Sequence, residues 1–227
     1  MQEQLAGLIA AALAFVGSHF ALSHPLRAPL VRRFGAQGFQ IFYSLVALAT
    51  FVWMVLAFRS IPISATALWN GQSDLVWVIA SGLTLIASVL LVGSLKGNPA
   101  LPLPNAKSLA KHSPTGVFHV TRHPMMWAFA LWSLAHLVVS PTARVLVLTL
   151  AIAALALVGS HLQDRKKAVL MGKEWAQWQR RTSYWPRLSG LAKAGLVPWL
   201  GGLALWLGAT WAHSGAIGLP AGIWRWL

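Results

Sequence analysis

Residues 74–95 read DLVWVIASGLTLIASVLLVGSL, and no charged side chain follows Asp74 in this stretch. A helix of about 20 apolar residues spans the roughly 30 Å of hydrocarbon in a bilayer. The chain is 57% hydrophobic and only 10% charged, which is too little polar surface for a water-soluble domain of this size. The sequence therefore predicts an all-α, polytopic transmembrane helix bundle that is solvated by lipid.

Five further apolar stretches have the same character, which gives about six transmembrane spans. The predicted spans cover residues 4–24, 37–58, 74–95, 124–141, 143–163 and 196–213. Only Ser140, Pro141 and Thr142 separate the fourth span from the fifth, so we expect a tight helical hairpin. Prolines interrupt residues 96–115, which predicts a loop. We find no separate soluble domain and expect one domain over residues 1–227.

The basic residues predict how the spans are oriented. Fifteen of the eighteen Lys and Arg side chains fall on one side of the predicted spans, and only Arg59, Arg144 and Arg225 fall on the other. Basic loops stay in the cytoplasm, so we expect a bacterial inner-membrane protein with both termini in the periplasm. The formal charge of +14 then matches anionic phospholipid headgroups, and we expect no nucleic-acid partner.

One charged segment is expected to lie along the membrane surface. Residues 164–181 combine basic and amide side chains with Trp175 and Trp178, a pattern typical of an interfacial amphipathic helix. A solvated connector is the alternative.

Composition excludes several kinds of site. The chain has no cysteine and only four acidic residues. Disulfides and thiolate ligands are therefore excluded, and a paired-carboxylate mechanism is not expected. The eight histidines are the main candidates for chemistry.

Four histidines, His19, His136, His161 and His213, lie within or at the ends of predicted spans. Ionisable side chains are costly inside a membrane, so each is a functional candidate; a packing role through a hydrogen bond to a helix carbonyl is the alternative. His19 and His161 both end a Val-Gly-Ser-His sequence, on spans predicted to run in the same direction. We expect these two imidazoles at similar depth.

Arg122, His123 and Pro124 come directly before the fourth span. Proline favours the first position of a helix and disfavours a helical conformation at the residue before it. The helix N-terminus with Arg122 predicts an anion site for propionate or phosphate groups, and lipid-headgroup anchoring is the alternative.

These motifs resemble a known family. With Gly17-Ser18-His19, Arg122-His123-Pro124-Met125-Met126 and Leu134-Ala135-His136, the sequence is similar to the NnrU family over nearly its whole length. It also resembles that family's plant relative, zeta-carotene isomerase.

The resemblance implies an integral membrane haem b protein that supports denitrification, because NnrU proteins are needed for nitrite and nitric oxide reduction. An isomerase-like redox reaction on a hydrophobic lipid or carotenoid is also implied. The isomerase's proposed axial ligands correspond to His19 and His136, and Arg122 would neutralise a haem propionate. The isomerase's cysteine near its second histidine has no counterpart beside His136.

The predicted depths leave the ligand pair open. His136 lies about 13 residues, roughly 20 Å, beyond His123 along the helix axis, whereas His19 lies near the cytoplasmic end of its span. A His19 and His161 pair fits depth better, with His136 paired with His213 or alone.

Two alternatives belong to other classes. One is a non-catalytic assembly or regulatory factor for nitrite and nitric oxide reductases, with the histidines packing helices. The other follows from a weaker resemblance of Arg122-His123-Pro124 to membrane methyltransferases of the isoprenylcysteine carboxyl type. The tandem glutamates of those enzymes are missing, and Met126 stands where they carry a tyrosine.

Overall fold

A computed structural model describes residues 2–63 and 66–227. Within these ranges the regular secondary structure is helical, which confirms the predicted all-α class. The α-helices are α1 (Gln2–Ser23), α2 (Arg27–Arg59), α3 (Asp74–Ser94), α4 (Ala106–Leu109), α5 (Pro124–Val139), α6 (Ala143–Met171), α7 (Lys173–Arg181) and α8 (Leu196–Ile217). Short 3₁₀ helices cover Gly116–His119, Leu188–Lys193 and Gly222–Arg225.

Each of the six predicted spans is a helix. Among the described residues, four helices are long and apolar enough to cross a membrane, namely α1, α2, α3 and α6. Helix α5 is apolar but has only 16 residues, and α8 has 22 residues but does not reach the same hydropathy. The protein is therefore an all-α membrane protein, and within the described residues α5 and α8 fall short of the length or hydropathy of the other four helices.

Two helices extend beyond their predicted bounds. Helix α2 begins at Arg27 rather than at residue 37, and Gly35 interrupts it with φ of 69° and ψ of 171°. Glycine adopts positive φ at little cost, so the basic first turns can change direction before the apolar part. Helix α6 continues past residue 163 to Met171 because the residues that follow are mostly good helix formers.

The predicted amphipathic helix over residues 164–181 is divided at Gly172, which has φ of 58°. Its first half belongs to α6, and its second half is α7. Trp175 and Trp178 of α7 are only 0% and 2% exposed and pack in one core cluster with Phe118. The apolar face of α7 is therefore covered by the chain itself.

The chain forms two compact units. Unit 1 comprises residues 1–71 and 136–155. Leu8, Ala11 and Phe15 follow the helical spacing that places them on one face of α1. They pack in one core cluster with Met54 of α2 and Ala151 of α6.

Long-range hydrogen bonds define one end of unit 1. The Gln4 side-chain amide donates to the carbonyl oxygen of Ser60 at 2.9 Å, and Arg144 Nη1 donates to that of Ile61 at 2.8 Å. The first turn of α1, the end of α2 and the start of α6 therefore lie together.

Unit 2 comprises residues 72–135 and 156–227. Helices α3 and α8 pack closely where Gly202 faces Val89, and Trp206 Nε1 donates to Thr84 Oγ1 at 3.0 Å. The first half of α5 joins the same core through Ala128. This packing fixes the start of α5, where the candidate site lies.

Candidate functional site

The site begins at the N-terminus of α5. As predicted, the helix starts at Pro124, directly after Arg122 and His123. The backbone N–H of His123 donates to Thr121 Oγ1 at 3.3 Å. The His123 side chain is fully buried, and the Arg122 side chain is 12% exposed.

Asp164 of α6 binds both of these side chains. Arg122 Nε and Nη2 donate to Asp164 Oδ2 at 2.8 and 2.5 Å, and Nε also lies 3.1 Å from Oδ1. His123 Nε2 donates to Asp164 Oδ1 at 2.8 Å. A carboxylate accepts only, so this bond assigns the ring proton to Nε2. The sequence predicted that Arg122 helps to bind an anion such as a propionate, and in the structure Asp164 engages part of the Arg122 guanidinium.

The segment after α7 is held against the segment before α5. The backbone N–H of Arg122 donates to the carbonyl oxygen of Ser183 at 2.8 Å, and that of Arg187 donates to Val120 at 2.9 Å. These bonds give the irregular backbone its partners on both sides and position Tyr184 beside the ion pair.

Tyr184 connects three parts of the site. Its carbonyl oxygen accepts from Thr121 Oγ1 at 2.7 Å and from Trp127 Nε1 at 2.9 Å. Its ring centroid lies 5.3 Å from the guanidinium carbon of Arg122. Its hydroxyl lies 2.9 Å from Ser160 Oγ on α6. The sequence analysis did not predict Tyr184 as a site residue. No local pattern around residue 184 indicates its contacts with Thr121, Trp127 and Arg122, which lie about 60 positions away.

An open cleft of about 760 Å³ adjoins this network and is lined in part by Arg122, Asp164 and Tyr184. Its walls are mainly apolar, with guanidinium, imidazole, amide and carboxylate groups among them, and the carboxylate of Asp164 is paired with Arg122. The lining residues are Arg122, Leu157, Val158, His161, Asp164, Arg165, Ala168, Gln179, Tyr184 and Trp185. Such a cleft suits a largely apolar ligand that carries anionic groups.

Three of the five candidate cofactor residues are brought together here. Arg122 and His161 line the cleft, and His123 lies behind Asp164. His161 is exposed, and no hydrogen bond engages its ring within the described residues. The exposed Arg165 lies one helical turn from His161.

His19 and His136 belong to unit 1 instead. His19 is half-buried; its Nδ1 donates to the Phe15 carbonyl oxygen at 2.7 Å, and its ring packs against Tyr43. His136 lies in the last turn of α5, close to the hairpin that leads into α6.

The contacts of unit 1 place these two histidines toward opposite ends. His19 lies 15 residues, or about 22 Å, along α1 from Gln4. Gln4 and Arg144 lie at the same end of the unit, and His136 is joined to Arg144 by the short hairpin. Their pairing on one iron stays a prediction that this geometry weighs against.

His213, the fourth membrane-span histidine, donates through Nδ1 to the carbonyl oxygen of Ala209 at 2.8 Å. This bond lies within α8 and does not reach a neighbouring helix. Among the described residues, no group of three or more His, Cys, Asp or Glu side chains is placed to hold a metal ion.

The fold and site define an all-α membrane protein with a buried ion-pair network beside a cleft. The chain matches the family model described as NnrU protein over residues 7–221. It belongs to the NnrU family, as its motifs predicted. No curated protein and no solved structure matches the chain.

Proposed function

We propose that this NnrU protein is a membrane haem b protein that supports nitrogen-oxide reduction, with the haem held in the cleft of unit 2. The observation that carries the proposal is that His161, Arg122 and Arg165 line one largely apolar cleft. Haem b is a flat apolar ring with two propionates. An imidazole can bind its iron, guanidinium groups can bind its propionates, and apolar walls can contact its ring.

The residues of the cleft fit such a group. His161 offers an imidazole, which is the commonest protein ligand of haem iron. Leu157, Val158 and Trp185 supply the apolar walls. Arg165 and the Nη1 group of Arg122, which Asp164 leaves unused, supply donors for carboxylates. Bound there, the haem would supply one-electron redox chemistry.

The side chains around the cleft would orient the haem and contact its ring. Asp164 and Tyr184 hold Arg122 from two sides, so its guanidinium is presented to the cleft in one orientation. The apolar walls would contact the haem ring. His161 would be the side chain that holds the haem iron, and Arg122 and Arg165 would hold its propionates.

An absorption spectrum of the detergent-purified protein, oxidised and then reduced, tests the proposal together with a pyridine haemochrome assay. We expect haem b at close to one per chain. His161→Ala should lose it, whereas His213→Ala and His19→Ala should retain it.

Loss of haem in His19→Ala with retention in His161→Ala would move the site to unit 1. A colourless wild-type protein after expression with ample haem would contradict haem binding altogether. Binding of S-adenosylmethionine or co-purification with a reductase would then favour the methyltransferase or the assembly factor.

A further inference from the structure

His123 is a buried titratable side chain that the proposed haem site does not use. Its side chain is 0% exposed, and its Nε2 donates to Asp164 Oδ1 at 2.8 Å. In a neutral imidazole the other nitrogen, Nδ1, is then an acceptor. This Nδ1 is buried and has no hydrogen-bond partner in the described part of the chain. Buried acceptors are rarely left unpaired, so Nδ1 points to a ligand.

A small cavity adjoins His123 on the side of the loop before α4. It has a volume of about 10 Å³. That is close to the roughly 10–15 Å³ that one water molecule needs. The lining residues are Asn98, Ala100, Leu101, His123, Met125, Met126 and Gln163.

Two side-chain amides complete the cavity. Asn98 Oδ1 accepts from the backbone N–H of Ala100 at 2.9 Å, which leaves the Asn98 amide N–H groups for the cavity. Gln163 Nε2 donates to the Ala100 carbonyl oxygen at 2.8 Å, which leaves Gln163 Oε1. A water molecule could donate to His123 Nδ1 and to Gln163 Oε1 and accept from Asn98. Buried waters typically make about three such bonds.

We propose that this cavity binds a water molecule and that His123 and Asp164 relay protons between it and the cleft. In one exchange, a proton from the cavity water bonds to Nδ1 while the Nε2 proton passes to Asp164 Oδ1, and the reverse transfer restores the Nε2–H tautomer. The water is reprotonated from bulk water, and no atom is oxidised or reduced. Arg122 holds the Asp164 carboxylate in place through its hydrogen bonds, and Asp164 itself lines the cleft.

A role of this exchange in catalysis rests on the proposed function, because reduction of nitrite or nitric oxide involves protons. The relay itself does not require haem. Its test can therefore fail or succeed independently of the spectrum described above.

Nitrogen NMR of the full-length protein with ¹⁵N-labelled histidine, in detergent, tests the relay. The signal of His123 is assigned from its loss in His123→Gln. We expect the Nε2–H tautomer, and fast exchange of this proton with D₂O despite complete burial. Gln163→Leu, which removes one partner of the water, should lose fast exchange. Gln177→Leu, at an exposed position of α7 that lines neither the cavity nor the cleft, should keep it.

Met126→Phe provides a second variant, because it fills the cavity from another wall and leaves both amides in place. It should likewise lose fast exchange. The proposal is overturned by an Nδ1–H tautomer, by slow exchange in the wild type, or by fast exchange in a folded cavity variant. An experimental map with no water at His123 Nδ1 would also overturn it.

Discussion

At the residue scale, Asp164 binds two side chains that lie 41 and 42 positions away in the sequence. The carboxylate is 10% exposed and the imidazole of His123 is 0% exposed. Burying charged groups is tolerated where partners satisfy them, and removing one partner leaves the other uncompensated. The network therefore depends on a single carboxylate.

Asp164→Asn tests this dependence. We expect a loss of about 3–5 kcal/mol of unfolding free energy, because Arg122 stays buried without its counter-charge. Thermal unfolding in detergent, followed by circular dichroism, measures the change.

Asp74→Asn is a matched control. Asp74 pairs with Arg225 at 3.5 Å, but its carboxylate is 78% exposed. Its substitution should cost less than about 1 kcal/mol. Equal shifts in the two variants would show that the Asp164 network contributes no more than a surface ion pair.

At the element scale, α7 holds α4 through one buried carboxylate. Glu174 lies 3.6 Å from Lys107 Nζ and 4.0 Å from Lys111 Nζ. The pKa of Glu174 lies below its usual range, chiefly because its own backbone N–H donates to the carboxylate and further because of the surrounding lysines. Burial opposes the shift.

The sign of this shift predicts how docking depends on pH. A carboxyl whose pKa is lowered by folding stabilises the folded form above its ordinary pKa of about 4.3. That contribution is lost as the pH falls through the lower folded pKa. Amide hydrogen exchange in Ala106–Leu109 should therefore rise on acidification relative to Glu174→Gln at the same pH. Parallel profiles in the two proteins would show that Glu174 does not hold α4.

The contact between α3 and α8 gives a second element-scale prediction. A Cβ at Gly202 would lie 2.7 Å from the Cα of Val89, which cannot move without shifting α3. Gly202→Ala should therefore lower stability by about 1–3 kcal/mol. At Gly208, in the same helix, a Cβ would meet nothing within 4 Å.

Gly208→Ala is the matched control and should raise stability by about 0.5–1 kcal/mol, because alanine is the better helix former. Thermal unfolding of both variants in one detergent compares them directly. Similar behaviour of the two would mean that α3 and α8 do not pack closely at Gly202.

At the scale of the whole molecule, the sequence predicted the six main helices because hydropathy over about 20 residues is a local property. It also predicted the start of α5, since Pro124 acts through its own ring. It did not predict the partner of Arg122 and His123, because nothing near Asp164 records a contact formed over 40 positions of chain. The inward packing of Trp175 is of the same kind, because amphipathicity does not say whether lipid or protein covers the apolar face.

The orientation of the whole chain is the last testable expectation. In the sequence, only Arg59, Arg144 and Arg225 of the eighteen Lys and Arg residues fall on the minority side of the predicted spans. The positive-inside rule then places residue 108 in the cytoplasm and the N-terminus in the periplasm. Because the chain has no cysteine, single cysteines report the side without background.

Gln2→Cys and Ser108→Cys, at two exposed positions, should differ in labelling by a membrane-impermeant maleimide in intact spheroplasts. We expect Gln2→Cys to react at once and Ser108→Cys to react only after the membrane is opened. The reverse order would show the opposite topology. The loop over residues 98–101, which lines the cavity of the proposed relay, would then lie on the periplasmic side. The cavity water would then exchange protons with the periplasm, so this measurement also decides which compartment the relay faces.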